Sequence, residues 1–135
     1  LVEAGKMGGD CLNYGCVPSK ALIKSARIAQ AMRKADHYGL QPADPQFDFR
    51  AVMARVHAAI AAIAPNDSVE RYTGLGVDVV QGYARIVDPW TVEIARHDGT
   101  TQRLTTRSII IAAGAAPVVP DLPGLADSGY LTSDT

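Results

Sequence analysis

Cysteine, histidine and large aromatic residues are scarce in this chain, which has two Cys, three His, two Phe and one Trp among 135 residues. Two cysteines exclude a secreted disulfide scaffold, which carries several pairs at wider spacing. His37, His57 and His97 lie far from the cysteines and from each other, without zinc-ligand spacing, so no metal site is expected. Neither sign of charge dominates: 13 basic and 14 acidic residues leave a net charge of -1, which argues against a nucleic-acid partner. Long hydrophobic runs are also missing. The most extended weakly polar stretch, Ala58 to Ala64, is too short and alanine-rich to span a bilayer. No charged-then-apolar leader is visible. The expectation is a soluble cytoplasmic protein with neither membrane nor nucleic acid as partner. The start at Leu1 and the ending Ser133-Asp134-Thr135 suggest a piece of something longer.

What the chain does contain is organised by period. From Ala21 to about Ala35 strong helix formers follow Pro18, a residue suited to the first turn of a helix. Leu22, Ile23, Ala26, Ile28, Ala29 and Met32 form a broad apolar stripe on it, and Tyr38-Gly39 ends the segment. Asp48 is placed to cap a second helix with Val52, Val56, Ile60 and Ile63 on one side, broken at Pro65. Asp67 to Tyr72 reads as a short helix ending at Gly74. After Gly76 the period becomes two. Val77–Gln81, Tyr83–Val87, Thr91–Ala95 and Gln102–Leu104 read as strands, with turns at Asp88-Pro89 and Asp98-Gly99. Ser108 to Gly114, with Ile109, Ile110 and Ile111, has the continuous apolar character of a strand buried on both faces.

The two cysteines are concentrated in one segment, Gly8-Gly9-Asp10-Cys11-Leu12-Asn13-Tyr14-Gly15-Cys16-Val17-Pro18-Ser19-Lys20. Cross-linking so short a loop removes only about 2 kcal/mol of unfolded-state entropy, so chemistry explains the pair better than stability does. Cys16 lies just before a helix, where the N-terminal end of the helix dipole favours a thiolate. Lys20 falls on the same face if the helix begins at Cys16 or Val17. Gly15 is expected to supply a positive backbone angle, and Gly8-Gly9 to let another group approach the main chain.

This string closely resembles the active-site signature of the class I pyridine nucleotide-disulfide oxidoreductases, a family that includes dihydrolipoyl dehydrogenase, glutathione reductase and mercuric reductase. Thr105 followed nine residues later by Gly114 resembles that family's second flavin-domain motif. Gly82-Tyr83-Ala84, read as a turn, resembles its adenine-side segment. Asp10 stands where the family usually has Thr, and Ala113 where it often has Thr or Ser. The Pro18-Ser19-Lys20 ending is closer to the dihydrolipoyl dehydrogenase and mercuric reductase branches than to glutathione reductase.

The resemblance implies an α/β fold: a partial, three-layer FAD-binding Rossmann-like domain over residues 1–135, with a small antiparallel meander inserted. The Gly-rich fingerprint, the NAD(P) domain and the C-terminal dimerisation domain are expected to lie outside it. FAD would be the cofactor and NAD(P)H would act through the missing domain. Cys11 and Cys16 would form the redox disulfide, with Cys16 next to the flavin and Cys11 exchanging with the substrate; Lys20 would support the reduced ring. Gly9, Asp10, Cys11, Lys20, Tyr83, Ala84, Ala113 and Gly114 would contact the cofactor. Glu3, an acidic residue at the end of a strand, would bond the adenosine ribose. The implied partners are a small-molecule or metal-ion electron acceptor and, for the full-length protein, a second copy in a homodimer. A non-catalytic flavin-binding redox sensor is the alternative reading.

Overall fold

The computed structural model describes residues 1–135. Strand β1 (Val2–Glu3) is followed by helices α1 (Gly9–Asn13), α2 (Cys16–Arg33), α3 (Phe49–Ile63) and α4 (Val69–Gly74), then by strands β2 (Val80–Asp88), β3 (Thr91–Arg96) and β4 (Thr101–Thr105). Short 3-10 turns cover Ala35–Tyr38, Ala64–Asp67 and Ala126–Ser128. The chain divides into two compact units, a helical one over Asp10–Pro65 and a β-rich one made of Leu1–Gly9 and Asn66–Thr135.

In the helical unit, local chemistry sets the ends of the helices. Asp48 caps α3 by accepting a hydrogen bond from the Arg50 N–H at 2.9 Å, satisfying one of the donors left over at a helix start. The α3 helix stops at Ile63, with Pro65 in the 3-10 turn that follows. Gly39, at φ 73° and ψ 16°, closes the turn after α2 in the left-handed conformation that favours glycine.

Helices α2 and α3 pack together. The half-buried and buried positions of α3 include Val52, Val56 and Ile60, as their spacing predicts, whereas Ile63 is exposed. The expected stripe on α2 needs correction. Leu22, Ile23, Ile28 and Met32 are all exposed, and beyond the first turn, where Val17 and Pro18 are half-buried, the half-buried residues are Ala21, Ser25 and Ala29, spaced every four residues. A seam of small side chains permits close helix approach, and the large ones point elsewhere.

In the β unit the sheet order is β1-β2-β3-β4. β1 pairs with β2 in parallel, Val2 opposite Val80 and Glu3 opposite Gln81. β2, β3 and β4 form the expected antiparallel meander, and Ile94 at its centre is fully buried. Two expectations fail here. Val77–Gln81 and Tyr83–Val87 are not separate strands: Gly82-Tyr83-Ala84 lies inside β2, paired with Arg96, Ala95 and Ile94. The reason is steric, because a Cβ at Gly82 would sit 2.5 Å from the Ala95 carbonyl oxygen, so glycine here permits close cross-strand approach.

The second failure is Ser108–Gly114, which forms no strand. Ile110 and Ile111 are 92% and 74% exposed, and no strand of the sheet pairs with the segment. Its apolar character matches that of a buried strand, but such a strand exists only between hydrogen-bonded neighbours.

Candidate functional site

The Cys11–Cys16 segment is built by a turn, a short helix and the start of a long one. Gly8 and Gly9 have positive φ, 87° and 53°, and the Gly9 N–H donates to the Lys6 carbonyl at 3.2 Å. The chain then enters α1, which carries Cys11, and Leu12 beside it is 3% exposed and anchors the helix. The Asp10 carbonyl accepts from both Tyr14 N–H, at 2.9 Å, and Gly15 N–H, at 2.6 Å, and the chain turns directly into α2. Cys16 is the first residue of α2, so Cys16 and Lys20 stand one turn apart on one face, as the sequence anticipates.

One detail corrects the sequence reading: Gly15 has φ -112°, not a positive angle. Glycine is needed for a different reason. A Cβ there would meet the Asp10 carbonyl oxygen at 3.1 Å and the Cys11 Cα at 3.7 Å.

Both cysteines are exposed, and neither is bonded to another sulfur. The Cys11 thiol is pushed above the usual range, first by the hydrogen bond it shares with the Cys16 side chain, then by partial desolvation and the Cys16 charge. The Cys16 backbone N–H and the Lys20 ammonium pull it the other way. The raised value favours the protonated form of Cys11. Lys20 is exposed and lies outside every ion pair in the structure. Helix α2 contains no acidic residue, so a positive charge near its N-terminus is opposed by the helix dipole and left without a counterion. An anionic sulfur or ligand is what such an arrangement stabilises.

The remaining sequence-predicted residues fall in the β unit. Glu3 ends the parallel strand β1, and its Oε1 accepts from Gly5 N–H at 2.7 Å. Tyr83 and Ala84 lie on β2, near Gln81, the partner of Glu3, so the fold brings these three residues to adjoining strands. Tyr83 is exposed and meets His97 edge-on, ring centroids 6.0 Å apart. His97 carried no signal in the sequence, because its relation to Tyr83 depends on the pairing of β2 with β3. Ala113 and Gly114 are exposed and lie in irregular chain, with Gly114 at φ 72°. The structure does not bring them to the sheet.

The whole of residues 1–135 matches the family model described as pyridine nucleotide-disulphide oxidoreductase. The chain belongs to this family. It is 36% identical over 140 residues to a mercuric reductase of Streptomyces lividans, covering 100% of this chain and 29% of that protein. It is also 36% identical over 144 residues to a dihydrolipoyl dehydrogenase of Bacillus subtilis, covering 99% of this chain and 30% of that one. The chain thus spans under a third of the length of these relatives. Among solved structures, LpdA from Mycobacterium tuberculosis superposes with TM-score 0.71 at 24% identity, over 88% of this chain and 26% of that one. The HOCl-induced flavoprotein disulfide reductase RclA from Escherichia coli, solved as a Cu(II) complex, gives 0.70 at 21%, over 96% of this chain and 25% of that one. These two likenesses establish the shared α/β, Rossmann-like fold.

Proposed function

We propose that this family member is part of an FAD-dependent, NAD(P)H-linked disulfide oxidoreductase in which Cys11 and Cys16 relay electrons to an external acceptor. The observation that carries this reading is the pair of exposed thiols at the N-terminus of an acid-free helix, with Lys20 one turn away. The parts of the chain that would meet a flavin fit one. A Cβ built at Gly9 has nothing within 4 Å, which leaves the Gly8-Gly9 turn open to a planar ring, and Lys20 offers an unpaired cation. Gly9, Asp10, Cys11, Cys16 and Lys20 would hold the ring end, while Glu3, Tyr83, Ala84, Ala113 and Gly114 would serve the adenosine and diphosphate portions. When bound, FAD supplies the hydride chemistry that carries electrons between the nicotinamide and the sulfurs.

The chain's own residues do the rest. Reduction of a Cys11–Cys16 disulfide breaks the S–S bond with two electrons and leaves a thiolate on Cys16 and, after protonation, a thiol on Cys11. The neighbouring Cys16 side chain raises the Cys11 thiol, which favours its protonated form. Attack on an acceptor then requires Cys11 to lose the proton, so its raised value makes a base necessary. Cys11 exchanges with the acceptor, and Cys16 closes the ring again. The acceptor is a small disulfide or a thiol-reactive metal ion, and the full-length protein works in the cytoplasm as a homodimer. No helix of the structure is long and apolar enough to cross a membrane.

The test uses the full-length protein with NAD(P)H and either lipoamide or Hg(II). Cys11→Ser and Cys16→Ser should each lower turnover by about two orders of magnitude or more, because either change removes an obligatory covalent step. Only Cys11→Ser should keep a thiolate-dependent long-wavelength flavin absorbance. Parental turnover in both variants would remove the relay, and the opposite spectral pattern would reverse the two sulfurs.

A further inference from the structure

Near the end of β2 that pairs with β1, two aromatic rings form a corner. Tyr83 and His97 meet edge-on, with centroids 6.0 Å apart and ring planes at 78°, so one ring stands as a wall beside the other. Tyr83 is 67% exposed, and His97 is exposed as well. A ring pair that served the sheet alone would gain most by covering its faces. Here the neighbours leave the Tyr83 face clear. Its ladder partner is Ala95, too small to cover it, and Arg85, two residues further along β2, is drawn to Glu93 at 2.7 Å.

The wall is held in place by its main chain. The Gly99 N–H donates to the Arg96 carbonyl at 3.1 Å and the Arg96 N–H to the Thr100 carbonyl at 2.9 Å, while the Asp98 carboxylate accepts from the Thr100 N–H at 2.9 Å. His97 is therefore set in a closed turn between β3 and β4. An open ring face with a near-perpendicular imidazole beside it suits a flat ligand that stacks on the face and turns hydrogen-bonding atoms of its rim to the imidazole nitrogens. A purine base has that shape. Glu3 pairs with Gln81, two residues before Tyr83, and brings to the same end of the sheet a carboxylate able to accept from ribose hydroxyls.

We infer that Tyr83 and His97 form a purine-binding corner for the adenine of FAD, with Tyr83 as the stacking platform and His97 as the wall that bonds the rim of the base. The inference rests on the reading of Tyr83 as an adenosine-side residue and adds to it His97, which lies on a different turn.

The test uses the full-length protein stripped of flavin and titrated calorimetrically with FAD and with FMN, which lacks the adenosine. Tyr83→Leu should raise the Kd for FAD about five- to a hundredfold, the span of base–aromatic stacking, and His97→Leu about three- to tenfold, the span of one hydrogen bond. FMN binding should be unchanged in both, and Tyr83→Phe, which keeps the ring, should bind FAD as the parent does. Parental FAD affinity in either leucine variant, or equal weakening of FAD and FMN, would overturn the corner. Where a variant does not fold, the unaltered apoprotein decides. Carbethoxylation of His97 by diethyl pyrocarbonate, mapped by mass spectrometry, should be slowed by FAD and not by FMN; protection by NAD(P)H alone, or by none of the three, would overturn the assignment. The corner and the relay fail separately. FAD bound alike by parent and variants removes the corner and leaves turnover intact, whereas parental turnover in Cys11→Ser and Cys16→Ser removes the relay and leaves the FAD affinities as expected here.

Discussion

Single atoms decide the behaviour of two glycines. At Gly82 an added Cβ would lie 2.5 Å from the Ala95 oxygen and 2.9 Å from the Arg96 Cα, both backbone atoms of a paired strand. Neither can swing away as a side chain would. Gly82→Ala should therefore destabilise the protein by about 1–3 kcal/mol, the cost typical of overpacking, measured as a lower urea midpoint at unchanged slope. At Gly15 the close contact is instead the Asp10 carbonyl oxygen, at 3.1 Å from an added Cβ. The sequence marks both residues as special, yet in each case the physical reason it suggests is wrong. A turn is the ordinary use of Gly in Gly-Tyr-Ala, and a positive φ the ordinary use of Gly before a helix. Close approach between backbones leaves no local trace.

Among the elements, the meander is tied across by Glu93. Its two carboxylate oxygens reach Arg85 on β2 and Arg103 on β4, each at 2.7 Å, and Arg85, Glu93 and Arg103 stand opposite one another in the ladder. The arginines, first Arg85 and then Arg103, hold the Glu93 carboxyl below the usual carboxylate range. Folding thus favours the ionised form. The resulting stabilisation is complete above the ordinary carboxylate pKa and disappears as pH falls through the lower folded value. Thermal melts of the parent and Glu93→Gln should differ most at about pH 7, and the gap should shrink as pH falls below the ordinary carboxylate range of about 4 and through the lowered folded value. A constant gap would show that the arginines bind Gln equally well. This three-residue bridge escapes sequence reading because it needs the registers of two strand pairs, whereas the Asp48 cap and the Pro65 break need only neighbours in the chain. Legibility follows sequence distance: the helix ends and the cysteine segment are local, while the α2 packing face and the fate of Ser108–Gly114 depend on partners elsewhere.

At the scale of the whole molecule, many large apolar side chains lie open to water. Ile110, Val118 and Leu131 are 92%, 93% and 81% exposed, and Leu22, Ile23 and Ile28 add a second apolar surface on α2. Water-exposed aliphatic area on this scale is unusual for a stable monomer. Residues 1–135 expressed alone should bind anilinonaphthalene sulfonate strongly and elute from a sizing column at a position that shifts with concentration. They should also retain little FAD and show negligible NAD(P)H oxidation. Stoichiometric yellow flavin on a monodisperse sample would contradict both statements.

The pairing of β1 with β2 also imposes an order of events. Val2 and Val80 are ladder partners, yet all four helices lie between them in the chain, whereas β2, β3 and β4 are joined by turns of a few residues. Closing a loop that long carries an entropic cost that grows as about (3/2)RT ln n, so β1 joins after the meander has formed. On a ribosome Val2 and Glu3 emerge before Val80 and Gln81 have been made, so this pairing must wait for β2. The cysteines of α1 and α2 emerge during that wait. Glu3, proposed above to hold the ribose, is thus set against Gln81 only after the meander has formed, and cofactor capture should trail synthesis of β2.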